Sequence, residues 1–302
     1  MNQKFFEKLC ECVQERQVKT SEQMSGHTTF RIGGPADFFT EPKTADEVKK
    51  IVDLCREEGM PFYVVGNGSN LLVSDKGYRG VIIALGQMNK IETTGEEICA
   101  QAGAMMSRIA AEALEKELTG FEFASGIPGT IGGAAVMNAG AYGGEMKDVI
   151  TEVTVLDDEN EVRILRGEEL EFGYRTSVAM KYHYIVLEVR LQLKHGKKEE
   201  IKAHMDDLTE RRTSKQPLEY PSAGSTFKRP EGYFAGKLIQ DTGLGGFTVG
   251  GAQISEKHNG FVINKDHATA EDVNRLMKEV SDRVYEKFGV RLEPEVRKLG
   301  EF

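Results

Sequence analysis

The sequence predicts an α+β protein whose C-terminal lobe is separate, and three observations carry that prediction. Short apolar or alternating runs such as "PFYVV", "GVIIAL" and "YIVLEVRLQL" lie between stretches whose apolar residues recur at helical spacing. The polar stretch "TSKQPLEYPS", residues 213–222, then marks a boundary. Beyond it the last third holds helical patterns of its own, and no internal repeat or low-complexity tract appears anywhere.

Taken in order, residues 2–15 predict a helix with Phe5, Leu9, Cys10 and Val13 on one face. "TTFRIGGPADFFTEP" alternates as a strand broken at Gly33-Gly34-Pro35. Thr44 and Glu47 have capping-box spacing ahead of a helix whose apolar stripe is Val48, Ile51, Val52 and Cys55, and Gly59 stops it. "PFYVV" then reads as a buried strand, which makes the first seventy or so residues a β-α-β unit. After the loop "GNGSN" come the strand-like "LLVSD" and "GVIIAL". A helix over residues 105–118 leads into a glycine-rich stretch, 121–145. "VITEVTVLDD" and "VRIL" form a hairpin pattern, "YIVLEVRLQL" another strand, and residues 197–212 a charged helix. Past the boundary, "AGKLIQDTG" is helical. A long helix is expected over 270–288, with Val273, Leu276, Met277, Val280 and Val284 on its apolar face.

Composition narrows the function classes. Lys and Arg number 39 against 48 Asp and Glu, a net charge of −9, which argues against nucleic acid or an anionic membrane as partner. Small anions stay open, since a local cluster of cations suffices for them. The charged residues interleaved through "MNQKFFEKLCECVQERQ" do not make a signal peptide, and no apolar run is long enough for a bilayer. Cys10, Cys12, Cys55 and Cys99 form neither a CxxC pair nor a disulfide framework, and no histidine spacing suits a metal. A reduced, cytoplasmic, metal-free monomer is the expectation.

Two glycine-bearing stretches carry the chemistry. Residues 121–145 hold seven glycines, at 126, 129, 132, 133, 140, 143 and 144. Glycine at that density destabilises a folded segment, so it points to a backbone that approaches a flat or phosphorylated ligand, with a tight multi-turn loop as the alternative. "GNGSN", residues 66–70, follows a strand and offers consecutive amides with Ser69 and Asn70, a nest that suits a pyrophosphate as well as a plain turn. A Rossmann fingerprint is excluded, because Leu71 stands where the third glycine belongs and a strand follows instead of a helix.

Six stretches in order, "GNGSNLLV", "SGIPGTIGGAAVMNAGAYG", "YRTS", "AGSTFKRP", "AGKLIQ" and "LEPEVRKLG", give the chain a resemblance to the UDP-N-acetylenolpyruvoylglucosamine reductases over nearly its full length. It looks like the family's shorter type, without the extra tyrosine loop. The resemblance implies an FAD-binding fold of the vanillyl-alcohol-oxidase type in two N-terminal subdomains, 1–72 and 73–198. A C-terminal α+β domain, 199–289, would bind a UDP-sugar, and residues 290–302 would return to the first subdomain. It implies FAD held noncovalently, since Asn70 and Leu71 stand where related covalent flavoproteins carry a histidine. NADPH would be the hydride-donating cosubstrate and UDP-N-acetylglucosamine enolpyruvate the acceptor.

Carried over residue by residue, the resemblance implies Arg175, Ser225 and Glu295 as catalytic. A serine hydroxyl is too weak an acid for ordinary general catalysis near neutrality, but suits a very basic carbanion in a dry site. An arginine fork matches a carboxylate, and a glutamate helps if protonated or if it orients a neighbour. Gly66, Asn67, Gly68, Ser69 and Asn70 would meet the pyrophosphate, and Ser125, Gly126, Ile127, Gly132 and Gly133 the ring and linker, with Arg31 nearby. Lys215, Lys228 and Arg229 are candidates for the UDP phosphates, although the family often has asparagine at the last of these. Rival readings are a flavin oxidase of the same fold acting on an alcohol or sugar, and a nucleotide-sugar sensor without turnover.

Overall fold

The computed structural model describes residues 2–302. Helix α1 is Gln3–Cys12, α2 Ala45–Glu57, α3 Met106–Glu115, α4 Ile131–Val136, α5 Val178–Lys181, α6 Lys198–Lys215, α7 Ala235–Asp241 and α8 Ala270–Phe288. The chain forms two compact units. The first comprises residues 2–19, 38–67 and 80–212, and the second 20–37, 68–79 and 213–302. A four-stranded sheet has the order Val18–Gln23, Pro35–Thr40, Tyr78–Ala84, Phe62–Val65.

In the first unit Phe62–Val65 pairs in parallel with residues 81–84. Helix α2 buries Val48, Ile51, Val52 and Cys55 as the stripe predicts, and Gly59 terminates it at φ +62°. Thr44 accepts the Glu47 N–H at 3.1 Å, but the box stays open on its other side. The Glu47 carboxylate turns instead to the Lys43 N–H (2.6 Å) and Gln17 Nε2 (3.0 Å). A five-stranded antiparallel sheet follows in the order Val162–Arg166, Ile150–Leu156, Ile185–Gln192, Glu97–Gln101, Ile91–Thr94. Its hairpin, 150–166, is the one the alternation predicts.

The second unit is built on the antiparallel sheet Ser222–Ser225, Phe261–Asn264, Ala252–Ile254, Thr248–Val249. Helix α8 covers the predicted residues and buries Val273, Leu276, Met277, Val280 and Val284. Thr269 and Asp272 close a capping box at its start, and the Asp75 carboxylate takes the N–H groups of Ala270 (2.8 Å) and Glu271 (3.1 Å). An acid at a helix N-terminus also complements the macrodipole. Leu71–Val73 pairs in parallel with Arg297–Leu299 in this unit.

Two expectations are corrected. The alternation of Thr28–Ile32 does not make a strand. Thr28 Oγ1 donates to the Ile32 carbonyl (2.9 Å) and accepts its N–H (3.3 Å), closing a turn, and the strand begins only at Pro35. The glycine-rich stretch contains the helix α4, which its two glycines conceal from a propensity argument. Leu276 is wholly buried, so Leu276→Ala should lower the unfolding free energy by about 2–5 kcal/mol. Lys278→Ala on the exposed face of α8 should stay within about 0.5 kcal/mol. Urea melts of the two variants compare these losses directly.

Candidate functional site

Each unit places its own share of the candidate residues. In the second unit Ser225 ends the strand Ser222–Ser225, opposite Phe261 across a register shift, and is exposed. Its neighbour Thr226 is wholly buried and fully bonded. The Thr226 N–H donates to the Gly260 carbonyl (2.9 Å), its Oγ1 accepts the Val262 N–H (2.9 Å), and its carbonyl accepts the Glu295 N–H (2.8 Å). A bridge between Phe227 and Pro294, and the Lys228 N–H on the Glu293 carbonyl (2.9 Å), continue that pairing. Ser225 and Glu295 are thereby fixed in one backbone frame.

The same frame includes the Gly68–Asn70 segment. Asn70 Nδ2 donates to the Glu295 carbonyl (3.2 Å), and the Asn70 carbonyl accepts the Arg297 N–H (3.0 Å). Gly68 sits at φ +60°, and a Cβ there would lie 2.1 Å from the His27 carbonyl oxygen, so only glycine lets this loop close on its neighbour. Arg31, exposed and at φ +55°, is lifted on the Thr28–Ile32 turn. Thr29 Oγ1 ties that turn to the Ser222 carbonyl (2.6 Å), and Asn264 Nδ2 ties it to the Phe30 carbonyl (3.1 Å).

His258 supports the Phe261 side of this frame. Its ring meets Phe261 edge to face at 4.8 Å, and its Nδ1 lies 3.1 Å from the Gly260 N–H, which makes Nδ1 the acceptor. Burial holds the His258 pKa below its ordinary value, a backbone hydrogen bond partly opposing the shift. Of the phosphate candidates, Lys215 is exposed at the end of α6. Lys228 pairs with Glu293 (3.2 Å), and Arg229 lies 4.0 Å over the Phe234 ring with Nε on the Tyr233 carbonyl (3.3 Å).

In the first unit, Gly66 and Asn67 are fastened to the end of the Ser125–Thr130 loop. Asn67 Nδ2 donates to the Pro128 carbonyl (2.6 Å), and a Cβ on Gly66 would fall 2.3 Å from Thr130 Oγ1. Arg175 occupies a two-residue turn closed by Gly173 and Thr176, at φ +54°, with its Nη2 donating to the Gly140 carbonyl (3.4 Å). Its guanidinium lies 5.3 Å from the ring centroid of Tyr174, which is exposed. The Glu145 carboxyl is held below the usual range, chiefly by Lys147 (2.7 Å). Burial opposes this, while Asn138 and the field of Arg175 add to it. Asn138, wholly buried, bonds Glu145, the Gly173 carbonyl and the Lys147 N–H, and so anchors the Arg175 turn.

Gly132 and Gly133 differ. A Cβ on Gly132 would meet the Ala102 Cβ at 2.7 Å, so this glycine lets α4 pack on residue 102 of its own unit. Around Gly133 only Thr130 Oγ1 comes within 4 Å, at 3.7 Å. Sequence reasoning also missed three residues. Thr226 and Asn138 act through bonds that no motif announces. Arg212 on α6 is half-buried, its pKa lowered by burial, and its Cδ and Nη1 would lie 3.0 Å from a Cβ on Gly126. The charged pattern of α6 gave no signal that one of its arginines turns inward.

In the first unit, Gly66-Asn67 and the Ser125–Thr130 loop, tied together through Asn67, lie with the inward guanidinium of Arg212 on something other than a Rossmann unit, an arrangement that suits a dinucleotide cofactor. The family model described as FAD binding domain matches residues 36–166. Alkyldihydroxyacetonephosphate synthase shares the fold at a TM-score of 0.51 and 16% identity, covering 65% of this chain and 41% of that one. The protein is thus an FAD-binding protein of the vanillyl-alcohol-oxidase fold, and the residues present fit that cofactor.

The model described as UDP-N-acetylenolpyruvoylglucosamine reductase, C-terminal domain, matches residues 216–299. The enzyme of that name from Caldanaerobacter subterraneus is 52% identical over 98% of both chains, and that from Clostridium beijerinckii 53% identical over 98% of this chain and 96% of its own. The crystal structure of the Thermus caldophilus reductase superposes with a TM-score of 0.79 at 38% identity, covering 92% of this chain and 98% of that one. The chain belongs to the UDP-N-acetylenolpyruvoylglucosamine reductase family. Among the described residues, no helix is long and apolar enough to cross a membrane, and no group of three or more His, Cys, Asp or Glu is placed to hold a metal.

Two outcomes follow from this geometry. Gly132→Val should lower the melting temperature sharply, since overpacking costs about 1–3 kcal/mol or more, while Gly133→Ala should melt near the parent. At His258, the unfolded ring takes a proton below about pH 6.5, whereas the folded ring resists it to lower pH. Its contribution is therefore present above that pH and lost as pH falls through the ordinary histidine range. Unfolding free energies at about pH 5.5 and about pH 7.5 should differ less in His258→Gln than in the parent.

Proposed function

We propose that the protein reduces UDP-N-acetylglucosamine enolpyruvate to UDP-N-acetylmuramate, with NADPH as hydride source, in peptidoglycan precursor synthesis. The observation that carries this reading is the pairing that fixes exposed Ser225 beside the Glu295 segment through Thr226. The relatives that match over 98% of the chain are UDP-N-acetylenolpyruvoylglucosamine reductases by name, which supports the choice of substrate.

Bound FAD supplies reversible two-electron hydride chemistry. Hydride addition at the terminal vinyl carbon leaves negative charge on the neighbouring carbon and its carboxylate. The Arg175 fork holds that carboxylate and balances the growing charge. Ser225 Oγ delivers one proton to the carbon, completing the D-lactyl ether, and regains it from water. Glu295 orients the proton donor or a water beside it. The amides of Gly66–Asn70 would hold the cofactor's pyrophosphate, with Arg31 near it, and Ser125–Ile127 with Gly133 its ring and linker.

Gly132 serves that loop by packing α4 against residue 102. Lys215 is the phosphate candidate left most accessible, since Lys228 pairs with Glu293 and Arg229 lies over Phe234. The three-lobed division, the noncovalent cofactor, the monomeric state and the cytoplasmic location belong to this proposal.

Stopped-flow absorbance of the flavin separates the two half-reactions. In Ser225→Ala the NADPH half-reaction should keep its rate, while reoxidation by the enolpyruvyl substrate should fall by about a hundred- to ten-thousand-fold. Ser225→Cys should recover part of the loss. Equal slowing of both halves, or an unaffected second half, would reduce Ser225 to a strand-end residue.

A further inference from the structure

We propose that Arg212 is a further cofactor-binding residue, whose guanidinium meets the pyrimidine edge of the flavin ring and balances the charge that two-electron reduction places there. The proposal rests on the reading that Ser125–Ile127 lies at the ring. Its own grounds are three observations in the first unit.

Arg212 is half-buried, and burial lowers its pKa. Removing a guanidinium from water costs free energy that an anion normally offsets. Yet among the described residues no carboxylate bonds or pairs with it. The one charged influence on it is the phenol of Tyr142, an ordinarily neutral group. Its position in the last turn of α6 gives it the helix dipole, which is a modest stabilisation available equally to an exposed cation. The dipole therefore does not account for the inward turn.

The second observation is Gly126, where a Cβ would crowd Arg212 Cδ and Nη1 at 3.0 Å. The fork thus lies directly against the backbone of the stretch assigned to the ring. The third is that the other anionic part of the cofactor, its pyrophosphate, is assigned to a different loop, Gly66–Asn70. What remains for an arginine at Gly126 is the electron-rich N1–C2=O edge. Reduction of the ring by two electrons and one proton leaves a net negative charge, delocalised over that edge. A planar fork with parallel N–H donors suits it better than a point cation.

The test uses the purified holoprotein, with Arg212→Met, Arg212→Lys and Gly126→Ala. Flavin content is measured first, then the two-electron midpoint potential, then the dissociation constant of sulfite. Sulfite adds to oxidised flavin and likewise leaves negative charge on the pyrimidine ring. Arg212→Met should bind sulfite at least about tenfold more weakly. Its potential should fall by the matching tenfold in the reduction equilibrium, about 30 mV for a two-electron couple. Arg212→Lys should lie between it and the parent. Gly126→Ala, which displaces the guanidinium without removing it, should shift both quantities in the same direction.

Unchanged potential and sulfite affinity in a flavin-replete Arg212→Met protein would overturn the proposal. So would loss of flavin affinity alone, with both quantities unchanged after reconstitution, since that is the mark of a phosphate contact. A parent protein that binds no FAD would instead overturn the cofactor placement on which the proposal stands.

Discussion

Thr226 is the residue on which the order of the second unit depends. A wholly buried threonine must satisfy its amide, its carbonyl and its hydroxyl, because each unpaired polar atom would cost about 1–3 kcal/mol. Its three partners belong to two different segments: the Gly260 carbonyl and Val262 amide on the strand beside it, and the Glu295 amide near the C-terminus. Meeting those requirements leaves one register for the serine strand and one for the glutamate segment. Asn70 then extends the same lattice to the loop beginning at Gly68, bonding the Glu295 carbonyl and the Arg297 amide. Neutral, buried backbone bonds of this kind are insensitive to salt and hold the exposed hydroxyl of Ser225 where a side-chain contact would leave it loose.

The first unit solves a comparable problem with different materials. Its turn at Tyr174-Arg175 is short and left-handed at the arginine, so its direction depends on what lies beneath. Buried Asn138 supplies that support, reaching the Gly173 carbonyl, Glu145 and the Lys147 amide with a single amide group. Polar atoms buried to brace functional loops are stabilising only when every one is satisfied, and here each is. The apolar cluster of this unit, from Phe5 to Leu193, supplies the rigid ground on which those loops stand.

Much of the fold was legible in the sequence because helix periodicity and capping are local. Helix α8 announced itself by its apolar stripe, and the alternating hairpin at 150–166 was equally plain. The turn at Thr28–Ile32 was not, because its side-chain bonds mimic an extended pattern of threonines and apolar residues. Helix α4 was hidden by Gly132, whose purpose is contact with Ala102, a residue far away in sequence. The candidate site residues came from motif resemblance, which supplies identities but no supports. Thr226, Asn138 and Arg212 matter through partners distant along the chain, and single-sequence reasoning has no access to those.

One feature of the second unit bears on how the protein is made. Leu71–Val73 has its parallel partner in Arg297–Leu299, and Leu72 shares a buried cluster with Leu292 and Val296. On the ribosome, the early strand therefore emerges long before the residues that will cover it. An unpaired apolar edge that waits for so distant a segment is a hazard for association with other nascent chains. A chain cut before residues 292–299 keeps an interior that cannot close.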